Sequence, residues 1–180
     1  MRFHFNERKA TQAAARFIEL AHGAMNYTAL IKLLYLADRT AFLQWRRPIT
    51  GDSFVSMNKG PVLSRTYDLI KGGTISDYWS AHIAPRNGYR IELRARPDFG
   101  ALSEQELSLI ENIFNEYGRW TLGQLIELCH RLPEWQDPGR SAFPIEPEDI
   151  LLKSGRSEEE VASIQRGLDA RATLEMFAVR

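Results

Sequence analysis

Residues 26–46, NYTALIKLLYLADRTAFLQWR, constrain the fold more than any other stretch. Leu30, Leu33, Leu34, Ala37, Ala41 and Trp45 recur at helical spacing and form one broad apolar stripe. A stripe that wide needs cover from several sides, so the spacing predicts a central core helix with the remaining elements packed round it. Asn26 is a suitable N-cap, because its side-chain oxygen can accept from the free backbone N–H groups of the first turn. Pro48 stops the helix. A chain of 180 residues is long enough to bury a real core and suits one domain, or one domain with an appendage.

The flanking segments follow similar rules. Ala10, Ala13, Ala14, Phe17 and Ala21 predict a first helix from near Asn6, ended by His22-Gly23. Phe54, Val55 and Met57 are compatible with a strand, and Asn58-Lys59-Gly60 turns the chain. Pro61 is expected in the first turn of a short helix with Leu63, Tyr67 and Ile70 on its apolar face, ended by Gly72-Gly73. YWSAHI (78–83) and YRIELRAR (89–96) predict a β-hairpin across APRNG. In the second strand Tyr89, Ile91, Leu93 and Ala95 alternate with Arg90, Glu92, Arg94 and Arg96.

The second half of the chain reads as helical. Ser103 with Glu106, and Thr121 with Gln124, are capping boxes. They open a helix striped by Leu107, Ile110, Phe114 and Tyr117 and closed by Gly118, and another that runs through Cys129. LPEWQDPGRSAFPIEP is a Pro-rich connector, too apolar and aromatic to be a free linker, and is expected to pack on the domain. A last helix opens at SEEE (157–160), with Val161, Ile164, Leu168 and Ala172 on one side. The fold class is therefore α+β and mainly helical: one compact domain of six or seven helices around the helix at 26–46, with a small antiparallel sheet.

Composition narrows the function classes. Apolar content of 44% and charged content of 26% are those of an ordinary soluble protein, and no apolar run could span a bilayer. The N-terminus MRFHFNERKATQ has no apolar region of the secretory kind, and the lone Cys129 excludes an internal disulfide framework. A cytoplasmic location is expected. The net charge is zero, yet residues 1–97 carry 15 Lys/Arg against 7 Asp/Glu, and residues 98–180 carry 8 against 16. Such asymmetry marks either a charged binding face or two halves that pack against each other.

Little in the sequence points to catalysis. A phosphate loop needs several glycines ahead of a Lys-Ser/Thr pair, whereas here Lys59 precedes a single Gly60-Pro61, and the proline removes a backbone donor. Cys129 and His130 are adjacent, so on a helix they point in different directions. Ser56, Ser64 and Asp38 have no histidine nearby in sequence. His4, His22, His82 and His130 are scattered without metal-ligand spacing. His130, at a helix end with Glu134 and Trp135 close by, reads best as a polar knot that anchors the connector. No catalytic residue, cofactor or metal is expected.

Binding is better supported. Arg86, Arg90, Arg94 and Arg96 lie on or beside the expected hairpin, with Tyr78 and Trp79 on its partner strand. Such a face could hold nucleic acid, but the chain as a whole is neutral where dedicated binders are basic, so nucleic acid is the less favoured partner. Protein binding fits better, since Arg, Trp and Tyr carry most interface energy. Trp45 with Arg46 ends the core helix, and Lys59 and Arg65 flank the Gly-Pro turn. The alternative for Trp45 is a place in the core.

Three blocks, IKLLYLADRTAFLQWRRPITGDSFVSMNKGPVLSRTYDLI, LCHRLPEWQDP and FPIEPEDILLKSGRSEEEV, together resemble the Panacea domain, the SocA-like antitoxin and phage-associated protein family. The resemblance runs over about 27–161, and the order of the blocks is more specific than any one of them. It implies that 1–180 is one Panacea-like domain, with an N-terminal helix and a C-terminal helix at 157–177 packed on it. It also implies a non-enzymatic antitoxin that binds and neutralises a protein toxin encoded next door. An AAA+ protease is a second implied partner, because SocA-like members can deliver the toxin for proteolysis. Some members carry a helix-turn-helix segment, for which this chain has no separate room. The matching positions Lys32, Tyr35, Asp38, Arg47, Asp52, Gly60, Pro61, His130 and Trp135 read as framework residues as much as contacts. A prophage-associated adaptor binding host proteins or nucleic acid, and a small hydrolase using distant residues, are the alternatives.

Overall fold

The computed structural model describes the backbone of residues 1–178 and the side chains through residue 170. Eight helices and five short strands follow one another among the described residues. The expected central helix is α2 (Tyr27–Trp45), capped by Asn26, whose Oδ1 accepts from Thr28 and Ala29 N–H. It ends at Arg46, which takes a left-handed conformation (φ 62°) two residues before Pro48. Leu30, Leu33, Leu34, Ala37, Ala41 and Phe42 are all almost completely buried. The helix is covered by α1 (Glu7–Leu20), α5 (Glu104–Tyr117), α6 (Leu122–His130) and α7 (Pro147–Lys153). The first helix starts near Asn6 as expected, with the Asn6 side chain accepting from Lys9 N–H as its N-cap, and both predicted capping boxes are present.

The strands form two small antiparallel sheets. In one, β2 (Phe54–Ser56) lies between β3 (Val62–Leu63) and β5 (Phe143–Ile145). The Pro-rich connector thus packs on the domain as expected, donating a strand. In the other, β1 (Ala24–Asn26) pairs with β4 (Arg90–Glu92).

Three expectations are corrected. Residues 78–83 are not a strand: α4 (Asp77–His82) occupies them, started by Ser76, whose Oγ accepts from Trp79 N–H. Trp79 and Ile83 are buried at i,i+4 spacing, and Tyr78 meets His82 at 4.8 Å on the next face. The cap and these pairs outweigh the strand preference of Tyr and Trp. The antiparallel partner of β4 is therefore the distant β1, and only the Ile83–Leu93 bridge survives from the expected pairing. On β4 the alternation is short: Ile91 is buried, but Tyr89 is 67% exposed. Pro61 does not open a helix. It leads into β3, and α3 (Ser64–Lys71) begins three residues later.

The last helix, α8 (Glu158–Ala178), opens where SEEE predicts, with Ser157 Oγ accepting from Glu160 N–H. Val161 and Ile164 are buried; the side chain of Ala172 lies outside the described residues.

The two oppositely charged halves meet at their charges. Lys9 and Arg47 reach Glu106 at 2.6 and 3.3 Å, Arg16 reaches Glu111 at 2.5 Å, and Arg39 reaches Glu134 at 2.6 Å. The sequence asymmetry is thus in good part internal pairing.

Candidate partner-binding site

The Gly-Pro corner is built from the side chains that surround it. Asn58, Lys59 and Gly60 turn the chain between β2 and β3, closed by Gly60 N–H donating to Met57 O at 2.9 Å. Gly60 has φ 95°, a region that side chains avoid. A Cβ there would also stand 2.9 Å from Cys129 Cβ and 3.3 Å from Lys32 Nζ. The carbonyls of the corner are taken up one by one. Lys32 Nζ donates to Gly60 O and Pro61 O at 2.8 and 2.9 Å, and Trp135 Nε1 donates to Met57 O at 2.9 Å. A ring nitrogen of His130 lies 3.1 Å from Asn58 O, and that ring stacks on Trp135 at 4.0 Å. His130 and Trp135 therefore do anchor the connector. Glu134 is not part of that knot: it turns inward to accept from Tyr35 Oη at 2.8 Å and from Arg39. Burial and the Glu134 charge push the Tyr35 phenol well above its ordinary value.

Two carboxylates on the other side of the corner hold turns in place. Asp38, on α2, accepts from Ile49 N–H at 3.0 Å and from the N–H and hydroxyl of Thr50. Asp52 accepts from Arg65 and Thr66 N–H at 3.0 and 2.8 Å, and so caps α3 from twelve or more residues away. Because that cap comes from a distant loop, local sequence signals place the start of α3 too early. Burial pushes the Cys129 thiol up to about 11, so it is a poor nucleophile at neutral pH.

The candidate contact residues do not form one face. Tyr27 and Trp45 stand at opposite ends of α2, about 27 Å apart at 1.5 Å per residue. Trp45 is half-buried against the core, with Arg46 exposed beside it. Arg65, at the start of α3, lies over Phe5 at 5.5 Å, whereas Lys71 at the helix end lies over Tyr27 and Tyr67. Arg90 pairs with Glu92, Arg94 donates to Ser80 O at 2.6 Å, and Arg96 reaches Glu19 at 2.5 Å while covering Phe99. These last three remain exposed to solvent.

The structure does bring Arg86 and Lys59 into one neighbourhood, round residues the sequence did not single out. Arg86 and Lys71 both lie over the Tyr27 ring, at 5.2 Å each, and Tyr27 stacks on the exposed Tyr89 at 6.1 Å. On one side of this cluster an open groove of about 350 Å³ runs between the end of α3 and α4; Ile70, Ile75, Trp79, Ile83, Lys71 and Arg86 line it. Ile75 on its rim is 93% exposed. On the other side a cavity of about 190 Å³ opens between α2, the corner and α3, and Lys71 borders both. Tyr27 and Lys71 could be recognised only once α3 and β4 were known to meet at the start of α2. Ile75 could be suspected as a large apolar residue stranded between a Gly-Gly stop and a Ser-Asp start.

Among the described residues no three His, Cys, Asp or Glu side chains are grouped to hold a metal, and no helix is long and apolar enough to cross a membrane. No curated protein and no solved structure matches the chain. Residues 30–136, which hold most of α2, the Gly-Pro corner, the groove and the His130–Trp135 anchor, match the family described as antitoxin SocA-like, Panacea domain. The chain belongs to the SocA-like antitoxin Panacea domain family.

Proposed function

We propose that this protein is a cytoplasmic antitoxin that neutralises a protein toxin, encoded by a neighbouring gene, through direct binding and without chemistry of its own. Family membership over 30–136 carries this reading. The geometry supports it: the framework side chains spend their polar groups inside the domain, holding the corner and α3 rigid, and a preordered surface loses less entropy on binding.

The docking face we assign is the groove beside α4 with its cationic border. Ile75, Tyr89, Arg86, Arg90 and Arg94 offer an exposed apolar anchor, an aromatic ring and three arginines, the residue types that dominate interface energies. A toxin with an apolar anchor inside an acidic rim would complement it. Delivery to an AAA+ protease would act on the same complex.

Co-expression with the adjacent reading frame tests the reading. That frame alone should stop growth, and this protein should restore growth and co-purify with it. A triple R86E/R90E/R94E variant should lose most of the rescue while keeping its helical circular dichroism, because all three side chains are exposed and exposed polar contacts contribute little to stability. Full rescue by that folded variant would exclude this face, and a harmless neighbouring frame would count against the antitoxin reading itself.

A further inference from the structure

The small cavity beside the groove has a composition that the antitoxin reading does not explain. Three lysines line it, Lys32, Lys59 and Lys71, and no aspartate or glutamate does. Elsewhere the half-buried or buried cations of this protein meet carboxylates: Lys9 with Glu106, Arg16 with Glu111, Arg39 with Glu134. Lys32 is only 1% exposed and donates to two backbone carbonyls, which leaves its third N–H and its full charge without an anionic partner among the described residues. Lys59 lies near enough for its charge to add to the cost of ionising Lys32. Lys71 sits half-buried between the Tyr27 and Tyr67 rings, which hold its ammonium in place, and Arg86 adds a further positive charge across Tyr27. The Tyr27 phenol is held below its ordinary value: burial opposes ionisation, but the polar surroundings at Thr28 and Lys71 and the positive charges of Lys71 and Arg86 outweigh it. Converging like charges in a partly dry pocket are costly unless an anion joins them.

We propose that this cavity binds a phosphate-bearing small molecule through Lys32, Lys59 and Lys71. Lysine ammoniums are compact point charges suited to phosphate, whereas a planar carboxylate is matched best by the arginine fork. A carboxylate would also balance only one of three charges, while a phosphate dianion or a diphosphate balances two or more. About 190 Å³ admits such a group whole. The contacts come from side chains, so they require no glycine-rich cradle, and the carbonyls of the Gly-Pro corner keep their structural partners. The proposal stands apart from the antitoxin reading and does not need a toxin.

The test uses the full-length protein at low ionic strength and pH 7, titrated by calorimetry with inorganic pyrophosphate, phenyl phosphate and acetate. Sodium chloride at matched ionic strength is the blank. Lys59→Gln and Lys71→Gln replace half-buried or exposed residues and should leave the thermal midpoint within a few degrees of wild type. Saturable 1:1 binding of pyrophosphate, weakened at least tenfold in both variants and not shared by acetate, would support the site. Parallel binding of phenyl phosphate would extend it to phosphate esters, and its absence would restrict it to the free polyanion. Absence of saturable pyrophosphate binding at millimolar concentration would overturn the proposal. So would equal affinity for acetate, or a smaller loss in either variant.

Discussion

Replacing Lys32 by Met should give a stability difference that grows with pH. The substitution keeps an unbranched apolar stem in the same space and removes the ammonium that Gly60 O and Pro61 O accept from. Burial, together with the positive charge of Lys59, depresses Lys32 from its ordinary 10.5 to about 8, against a smaller opposing effect of Cys129. Between about pH 8 and 10.5 the folded protein therefore holds fewer protons than the unfolded chain, and wild-type stability rises with pH across that window. The full effect corresponds to about 3 kcal/mol, and it is absent from the variant. Both carbonyl bonds survive deprotonation, since a neutral amine still has two N–H groups for two acceptors. Cys129, whose raised thiol drives an opposite trend, is present in both proteins and largely cancels in the difference. Urea melts of both proteins, run in parallel from pH 7 to 10.5, read the quantity directly. The wild-type advantage over the variant should widen by about 3 kcal/mol between the two ends. A gap that stays constant or narrows would show that Lys32 is not a desolvated cation, and would remove a main support of the phosphate site.

Two further substitutions test the framework. Gly60→Ala combines a positive φ with a close approach to Cys129 and Lys32, so it should cost about 2–5 kcal/mol by chemical denaturation. Gly23→Ala, at nearly the same φ but with nothing within 4 Å, should cost only the backbone strain, about 1 kcal/mol; equal losses at the two sites would refute the packing argument. Glu134→Ala strands the Arg39 guanidinium and removes the Tyr35 acceptor, and should lower stability by about 3–5 kcal/mol with an unchanged denaturant slope.

How much the sequence discloses depends on the range over which each signal acts. The central helix, the Asn26 cap, the start of α1 near Asn6, and the boxes at Ser103 and Thr121 are set by residues within four positions of one another, and local pattern finds them. Strand pairing is non-local. Met25 faces Ile91 across more than sixty residues, and nothing in AMN announces a strand. The same holds for Asp52 and α3, where the capping carboxylate comes from an earlier loop. The expected hairpin fails because Trp and Tyr suit a strand and an amphipathic helix turn equally, and the deciding residue is the cap Ser76 ahead of them. The binding side chains divide in the same way. Arginines 86 to 96 stand out because they cluster in sequence, whereas Lys32, Lys59 and Lys71 come together only through the meeting of α2, the corner and α3.

The charge pairs that join the two halves also bear on how the protein can be dissected. Cut near residue 97, the first half would lose Glu106, Glu111 and Glu134 and keep a surplus of unmatched arginine and lysine. Such a fragment would cling to any acidic surface, nucleic acid included, for reasons foreign to the intact chain. Deletion mapping would then report stickiness as recognition, so a contact map for this protein should come from point substitutions in the whole polypeptide.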